Sequence, residues 1–316
     1  MAGKINIRDN NRRIEHNDIY NQSTEPLKSN KNRNDIVRVL RKPFKYWLPG
    51  SNISKEIVRK YREYLEDGSI VVLTEKAVSV ALGNIYDESI IKPDPISEYL
   101  TRIINWYLWR RVFYKFFKYS GNFLQIVEEV PLEYLAMHKK LSIKYGGLLS
   151  FIKPYSEAGI DTTNLPYYYV SLPLRKADKI AREIKEEINK LVDKDVYVLL
   201  VDSDRTFKPK SFSSLAISTR PSYIKGIIDF GGLGFILGRL FPERFTEFPT
   251  PVAYEGSWLG LPRILSLARI AEKHLGHGLG ITAPAMLKNL GKKNFSEVTW
   301  YDMNKIKHFP AIVIKI

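Results

Sequence analysis

The sequence predicts an α+β fold, and three observations carry that reading. Short apolar runs with β-branched enrichment occur at 70–74, 196–201 and 311–316, where strands are expected. Between them, apolar residues recur at helical spacing at 57–65, at 175–191 and from about residue 262. These segments alternate irregularly, without the repeated unit that a doubly wound parallel sheet requires, and no internal repeat is present. At 316 residues with 44% apolar content, the chain can bury a substantial core.

Residues 1 to about 40 are rich in Asn, Arg, Lys and Asp and lack a sustained apolar period, which predicts a flexible basic tail. Order is expected from Pro43 onward, because Phe44, Tyr46, Trp47 and Leu48 are too apolar to leave in water. After Pro49-Gly50, Ser54 can cap a helix that places Ile57, Val58, Tyr61, Tyr64 and Leu65 on one face, with Gly68 just past its end. The strand at 70–74 follows at once. Residues 95–120 then hold nine aromatics, Trp106, Trp109, Phe113, Phe116 and Phe117 among them, interleaved with Arg102, Arg110, Arg111, Lys115 and Lys118. Two readings stand there: a packing helix whose basic groups snorkel to solvent, or an amphipathic helix in peripheral contact with an anionic membrane.

Further along, Ala177, Ile180, Ala181, Ile184, Ile188 and Leu191 define one face of a helix whose other face is filled by lysines and glutamates. It feeds the strand at 196–201. A helix from about Pro262 puts Ile264, Leu267, Ala268, Ala271 and Leu275 on one face and stops at Gly276-His277-Gly278-Leu279-Gly280. The run at 311–316 closes the set as a strand.

A formal charge of +15 means that the whole protein attracts anions: nucleotides, polyanionic metabolites, nucleic acid or acidic lipid. No aromatic-plus-basic code for RNA or DNA appears, so a nucleic-acid partner is not the expectation. No apolar run is long enough to cross a bilayer, and Arg12, Arg13 and Glu15 stand where a secretory signal needs an apolar core, so a cytoplasmic location is expected. Zero cysteines excludes disulfides, thiolate metal sites and a cysteine nucleophile, and five histidines argue against the usual zinc site. Oxygen ligands and a hard metal remain.

Two stretches point to chemistry. The run at 196–201 leads into Asp202-Ser203-Asp204, and an isolated Ala158-Gly159-Ile160-Asp161-Thr162-Thr163-Asn164 precedes it. A buried strand that ends in carboxylates and a hydroxyl can hold a divalent cation against phosphates. The plainer alternative is a pair of turns in which Asp and Ser bond their own backbone. Finding both stretches, each beside apolar sequence, favours function. Gly276-His277-Gly278 follows a helix rather than preceding one, so it reads first as a helix stop, although glycines admit a phosphate and His277 adds a donor or ligand. Thr74-Glu75-Lys76 places a cation directly after the strand at 70–74, and Arg220 in Ser218-Thr219-Arg220-Pro221 is a second cation, in a loop, where an anionic substrate can be held or a side chain simply solvated.

The order of these pieces resembles the coenzyme F(420)-0 gamma-glutamyl ligase family. The matching stretches are Pro49-Gly50-Ser51-Asn52, Asp67-Gly68-Ser69 with the strand at 70–74, Ser79-Val80-Ala81-Leu82-Gly83-Asn84, then 158–164 and Val201-Asp202-Ser203. The resemblance spans roughly 48–316 and implies a ligase-like domain over 41–316, with mixed or antiparallel sheets, packed helices and insertions at about 95–120 and 279–308. It implies a GTP- (or ATP-) dependent enzyme that uses Mg²⁺ or Mn²⁺ to activate an acceptor carboxylate as an acyl phosphate, which the amine of L-glutamate attacks. Residue by residue, it implies Asp161 and Asp202 as catalytic metal ligands, with Ser203 and His277 beside them. It implies nucleotide contacts from Glu75, Lys76, Asn164, Gly276, His277 and Gly278. A homodimer and an anionic small-molecule acceptor follow from the same likeness. The chain departs from the family pattern at Val80, where lysine is usual, at Ser203 in place of Thr, and at His277 in place of Gln. Those departures keep open a second function: a non-catalytic protein that binds nucleotide or deazaflavin on the same fold.

Overall fold

A computed structural model describes residues 21–28, 34–113, 130–147, 149–153, 159–276, 278–280 and 282–316. Its centre is β3 (Ile70–Thr74), whose Ile70, Val71, Val72 and Leu73 are all fully buried. A strand apolar at every position needs cover on both faces, and it has that cover. Ile70 and Val72 face helix α7 (Leu261–His274), while Val71 and Leu73 face α1 (Ile53–Tyr61) and α5 (Ala177–Val192). Each such side chain contributes about 1.5–3 kcal/mol of burial free energy.

The sheet runs β1 (Asn21–Lys28), β2 (Asn34–Arg41), β10 (Ala311–Lys315), β3, β6 (Tyr197–Pro209), β7 (Ala216–Ser218), β8 (Ile227–Asp229), with β9 (Phe245–Glu255) also paired to β6. The pairs β3/β6 and β7/β8 are parallel and the others antiparallel. Two short strands, β4 (Ile85–Asp87) and β5 (Tyr169–Ser171), form a separate pair. The fold is α+β with a mixed sheet. The remaining described helices are α2 (Glu75–Ala81), α3 (Pro95–Arg102), α4 (Leu132–Gly146), α6 (Gly231–Leu240), α8 (Ala283–Leu290) and α9 (Trp300–Asn304).

Four expectations need correction. Order begins before Pro43: 21–28 and 34–41 are strands, and Val37 and Val39 are fully buried against the α7 face. The apolar alternation there is short and diluted by charge, and its partner β10 lies far away in sequence. Helix α1 is capped by Asn52, not Ser54: the Asn52 side chain accepts from Lys55 N at 2.9 Å from an extended backbone, while Ser54 is buried in the first turn. Strand β6 does not stop at Asp202. It continues to Pro209 because β9 pairs along it, with register shifts at 200/201 and 202/205. In the aromatic block, α3 continues as a wider π-type coil over Ile103–Phe113, in which Trp109 is buried with Phe207 and Phe235 and donates to Ile152 O at 2.7 Å. Phe116, Phe117, Lys115 and Lys118 lie outside the described residues.

Candidate functional site

Parallel pairing of β3 with β6 matches Thr74 to Val201, so Glu75, which opens α2, and Asp202, which stays in β6 opposite Thr250 of β9, come to lie side by side. Helix α2 begins at that point and turns Lys76 toward the loop between Gly159 and Asn164. The β6 irregularity just after Asp202 frees Ser203 and Asp204 from regular pairing with β9. Lys76, Asp161, Asn164, Asp202, Ser203, Gly276 and Gly278 all line one cavity of about 460 Å³. The ends of parallel strands are where open α/β layers commonly hold ligands.

The Asp161 carboxylate is held from two sides. Its Oδ1 accepts from the Thr163 amide and hydroxyl, both at 2.7 Å, and its Oδ2 meets the Lys76 ammonium at 2.6 Å. Lys76 also donates to Thr163 Oγ1 at 2.6 Å. Both charged groups keep roughly a fifth to a quarter of their side-chain surface open, so they can still meet a ligand.

Behind Asp202 lies Arg220, 1% exposed. Its Nη2 donates to Glu75 Oε1 at 2.7 Å, its Nη1 donates to Glu75 Oε2, and the same Nη1 donates to Asp202 Oδ2 at 2.7 Å. Glu75 also accepts from Leu174 N at 2.8 Å. Burial would push the Asp202 carboxyl up, but the adjacent guanidinium outweighs it and holds Asp202 below the ordinary carboxylate range. Burial pushes Glu75 up against the pull of Arg220. Gly159 completes the arrangement: it adopts φ +79°, and a Cβ there would lie 2.4 Å from Arg220 Nη1. The backbone of the Asp161 loop therefore passes directly over the guanidinium.

The structure places the other expected residues unevenly. Glu75 is buried on Arg220 and is not among the cavity-lining residues, so its carboxylate serves the ion pair. Asn164 lines the cavity with φ +56°, but its Oδ1 accepts from Leu279 N at 2.6 Å, and a Cβ on Gly278 would lie 2.5 Å from that oxygen. Gly278 thus seats the glycine segment on Asn164. His277 lies outside the described residues. Asp204 is buried away from the cavity lining, paired with Lys153 at 2.7 Å. Val80 is 1% exposed in an apolar cluster with Tyr46, Leu165 and Met286. Arg220, expected to hold an anionic substrate or be solvated, is instead buried on Glu75 and Asp202, and no periodicity announces that burial. One further group has no role assigned from sequence. His308, stacked on Tyr46 at 5.0 Å between centroids, is pushed down to about 3 by burial, with Lys76 adding to the effect, and is neutral at physiological pH.

The family model for F420-0:Gamma-glutamyl ligase matches residues 44–296. The chain belongs to the F420-0:gamma-glutamyl ligase family. Uncharacterized protein MJ1361 of Methanocaldococcus jannaschii is 34% identical over 260 residues, covering 80% of this chain and 86% of the relative. Both active carboxylates expected from the resemblance, Asp161 and Asp202, fall inside the ligase match and on the same cavity. Membership supports a γ-glutamyl ligase role. Among the described residues, no helix is long and apolar enough to cross a membrane.

Proposed function

We propose that this ligase is nucleotide- and divalent-metal-dependent, and that it joins L-glutamate to a carboxylated anionic acceptor through an acyl phosphate. The observation that carries the reading is the pairing, on one cavity wall, of two carboxylates each held by a cation: Asp161 by Lys76 and Asp202 by Arg220. Joining two anions requires fixed positive charge and ionised metal ligands in a partly closed space. Lys76, on the cavity wall beside Asp161, would offer its ammonium to a bound phosphate, and Arg220 keeps Asp202 ionised from behind.

Two carboxylates and the Ser203 hydroxyl form a hard oxygen donor set suited to Mg²⁺ or Mn²⁺. No cluster of three His, Cys, Asp or Glu accompanies them among the described residues, so water and phosphate oxygens would complete the shell. The bound metal would neutralise charge on the transferring phosphoryl group. In the first step the acceptor carboxylate oxygen bonds to the γ-phosphorus as the β–γ bridge bond breaks and nucleoside diphosphate leaves. In the second the glutamate nitrogen bonds to the acyl carbon, phosphate departs and the amine loses its proton. Gly276 and Gly278 bring backbone to the cavity wall, where it would meet phosphate, packed closely on Phe309 and on Asn164.

Calorimetric titration with GTP and with ATP, each with and without Mn²⁺, tests the reading on wild type and Asp161→Asn. Metal-dependent binding that weakens at least about tenfold in the variant supports it. An absence of nucleotide binding under every condition overturns it. Val80 favours one rival, since it presents buried apolar surface where the family carries lysine. Tight nucleotide binding without phosphate release for any acceptor would select that non-catalytic binding function.

A further inference from the structure

The segment from Pro95 to Phe113 is built inside out. Its buried positions are Ser97, Thr101, Asn105 and Trp109, spaced by four, and three of those side chains are polar. The opposite face exposes Ile96 by 71%, Tyr99 by 64%, Tyr107 by 60% and Trp106 by 41%. A helix that buries Ser, Thr and Asn while turning aromatics outward carries a surface fitted to something other than water. The face runs without a break from α3 into the π-type coil over Ile103–Phe113, and a groove between Tyr99, Trp106 and Tyr107 is lined with Arg102, Arg110 and Arg111.

The charge on this face chooses the occupant. Arg102 and Arg111 form no ion pair among the described residues, and Arg110 lies 5.0 Å over the Trp106 ring. A second copy docked through the same patch would bring one arginine cluster onto another, since a two-fold interface is self-complementary. A bilayer with anionic headgroups accepts both components: Trp and Tyr settle at the headgroup level, and arginines snorkel onto lipid phosphates. We propose that this face docks the protein peripherally on an anionic membrane surface.

Flotation of the full chain with vesicles tests this, comparing phosphatidylcholine alone with phosphatidylcholine doped with phosphatidylglycerol. The expected result is partition onto the doped vesicles only, weakening as salt rises. Arg102→Gln with Arg111→Gln should weaken partition by about fivefold per arginine, and Trp106→Ser with Tyr107→Ser by at least about tenfold. Nucleotide binding and the melting temperature serve as controls of folding, because none of these residues lines the 460 Å³ cavity. Should the aromatic variant fail to fold, the exposed arginine pair decides alone. Failure of the wild type to float with anionic vesicles overturns the proposal. So does equal flotation of wild type and variants, or a wild-type dimer that dissociates in the Trp106 variant without any vesicle binding.

Discussion

Replacing Arg220 with Met removes the cation shared by the buried Glu75 and the part-buried Asp202 and keeps most of the arginine's volume filled. Glu75 would lose both guanidinium hydrogen bonds and Asp202 one, while Glu75 keeps only the Leu174 amide. Breaking a buried ion pair from one side costs about 3–5 kcal/mol, and two carboxylates place this case at the upper end. At roughly 2–4 °C per kcal/mol, the melting temperature should fall by about 10 °C or more near neutral pH. The pH dependence gives the sharper test. In the wild type, the depressed Asp202 contributes stability that is present above its unfolded pKa and lost as pH falls through its folded one. In Arg220→Met the sign reverses, because carboxylates desolvated without a counter-ion are raised, and protonation relieves them. The deficit should therefore shrink as pH falls from about 7 to about 4.5. Adding Glu75→Gln should restore about 1–2 kcal/mol by removing one buried charge. Urea unfolding at several pH values measures all three quantities. A loss below about 1 kcal/mol, or a loss that does not change with pH, would refute the claim that Arg220 neutralises this pair.

Gly159→Ala should displace the Arg220 guanidinium and cost at least about 1–3 kcal/mol, from a strained positive φ together with the clash; chemical denaturation measures it, and nucleotide affinity should fall with it if Asp161 moves. His308 is buried with a pKa of about 3, so the folded state binds fewer protons there than the unfolded one, and stability should fall as pH drops below about 6.5. His308→Gln should flatten that acid slope, which is worth up to about 1.4 kcal/mol per pH unit, as read by melts between about pH 6.5 and 4.

Elements that carry their own periodicity were legible in the sequence. The strand at 70–74 and helix α7 follow directly from apolar spacing, because burial on one stripe or on both faces leaves that mark whatever the partner. Asp161 and Asp202 were legible as a pair because carboxylates stood next to apolar runs. What failed to show was every feature that depends on a distant partner. Val37 and Val39 look like interruptions in a charged segment until β10 lies beside them. The extension of β6 past Asp202 exists because β9 pairs with it. Arg220 reads as a surface loop cation until Glu75 and Asp202 converge on it, since a single buried charge leaves no period. Its neighbour Pro221 restricts the backbone locally but says nothing about burial.

The position of β10 between β2 and β3 bears on how the protein is made. As the chain leaves the ribosome, β2 and β3 appear early, yet neither can close against the other, because the strand that bridges them is synthesised only after the ligand-cavity elements. Until residues 311–315 emerge, the central strand presents one bare edge and an uncovered apolar ladder. Nascent chains stalled before residue 311 should accordingly hold on to chaperones and clump readily, whereas those extended through residue 315 and clear of the exit tunnel should be released.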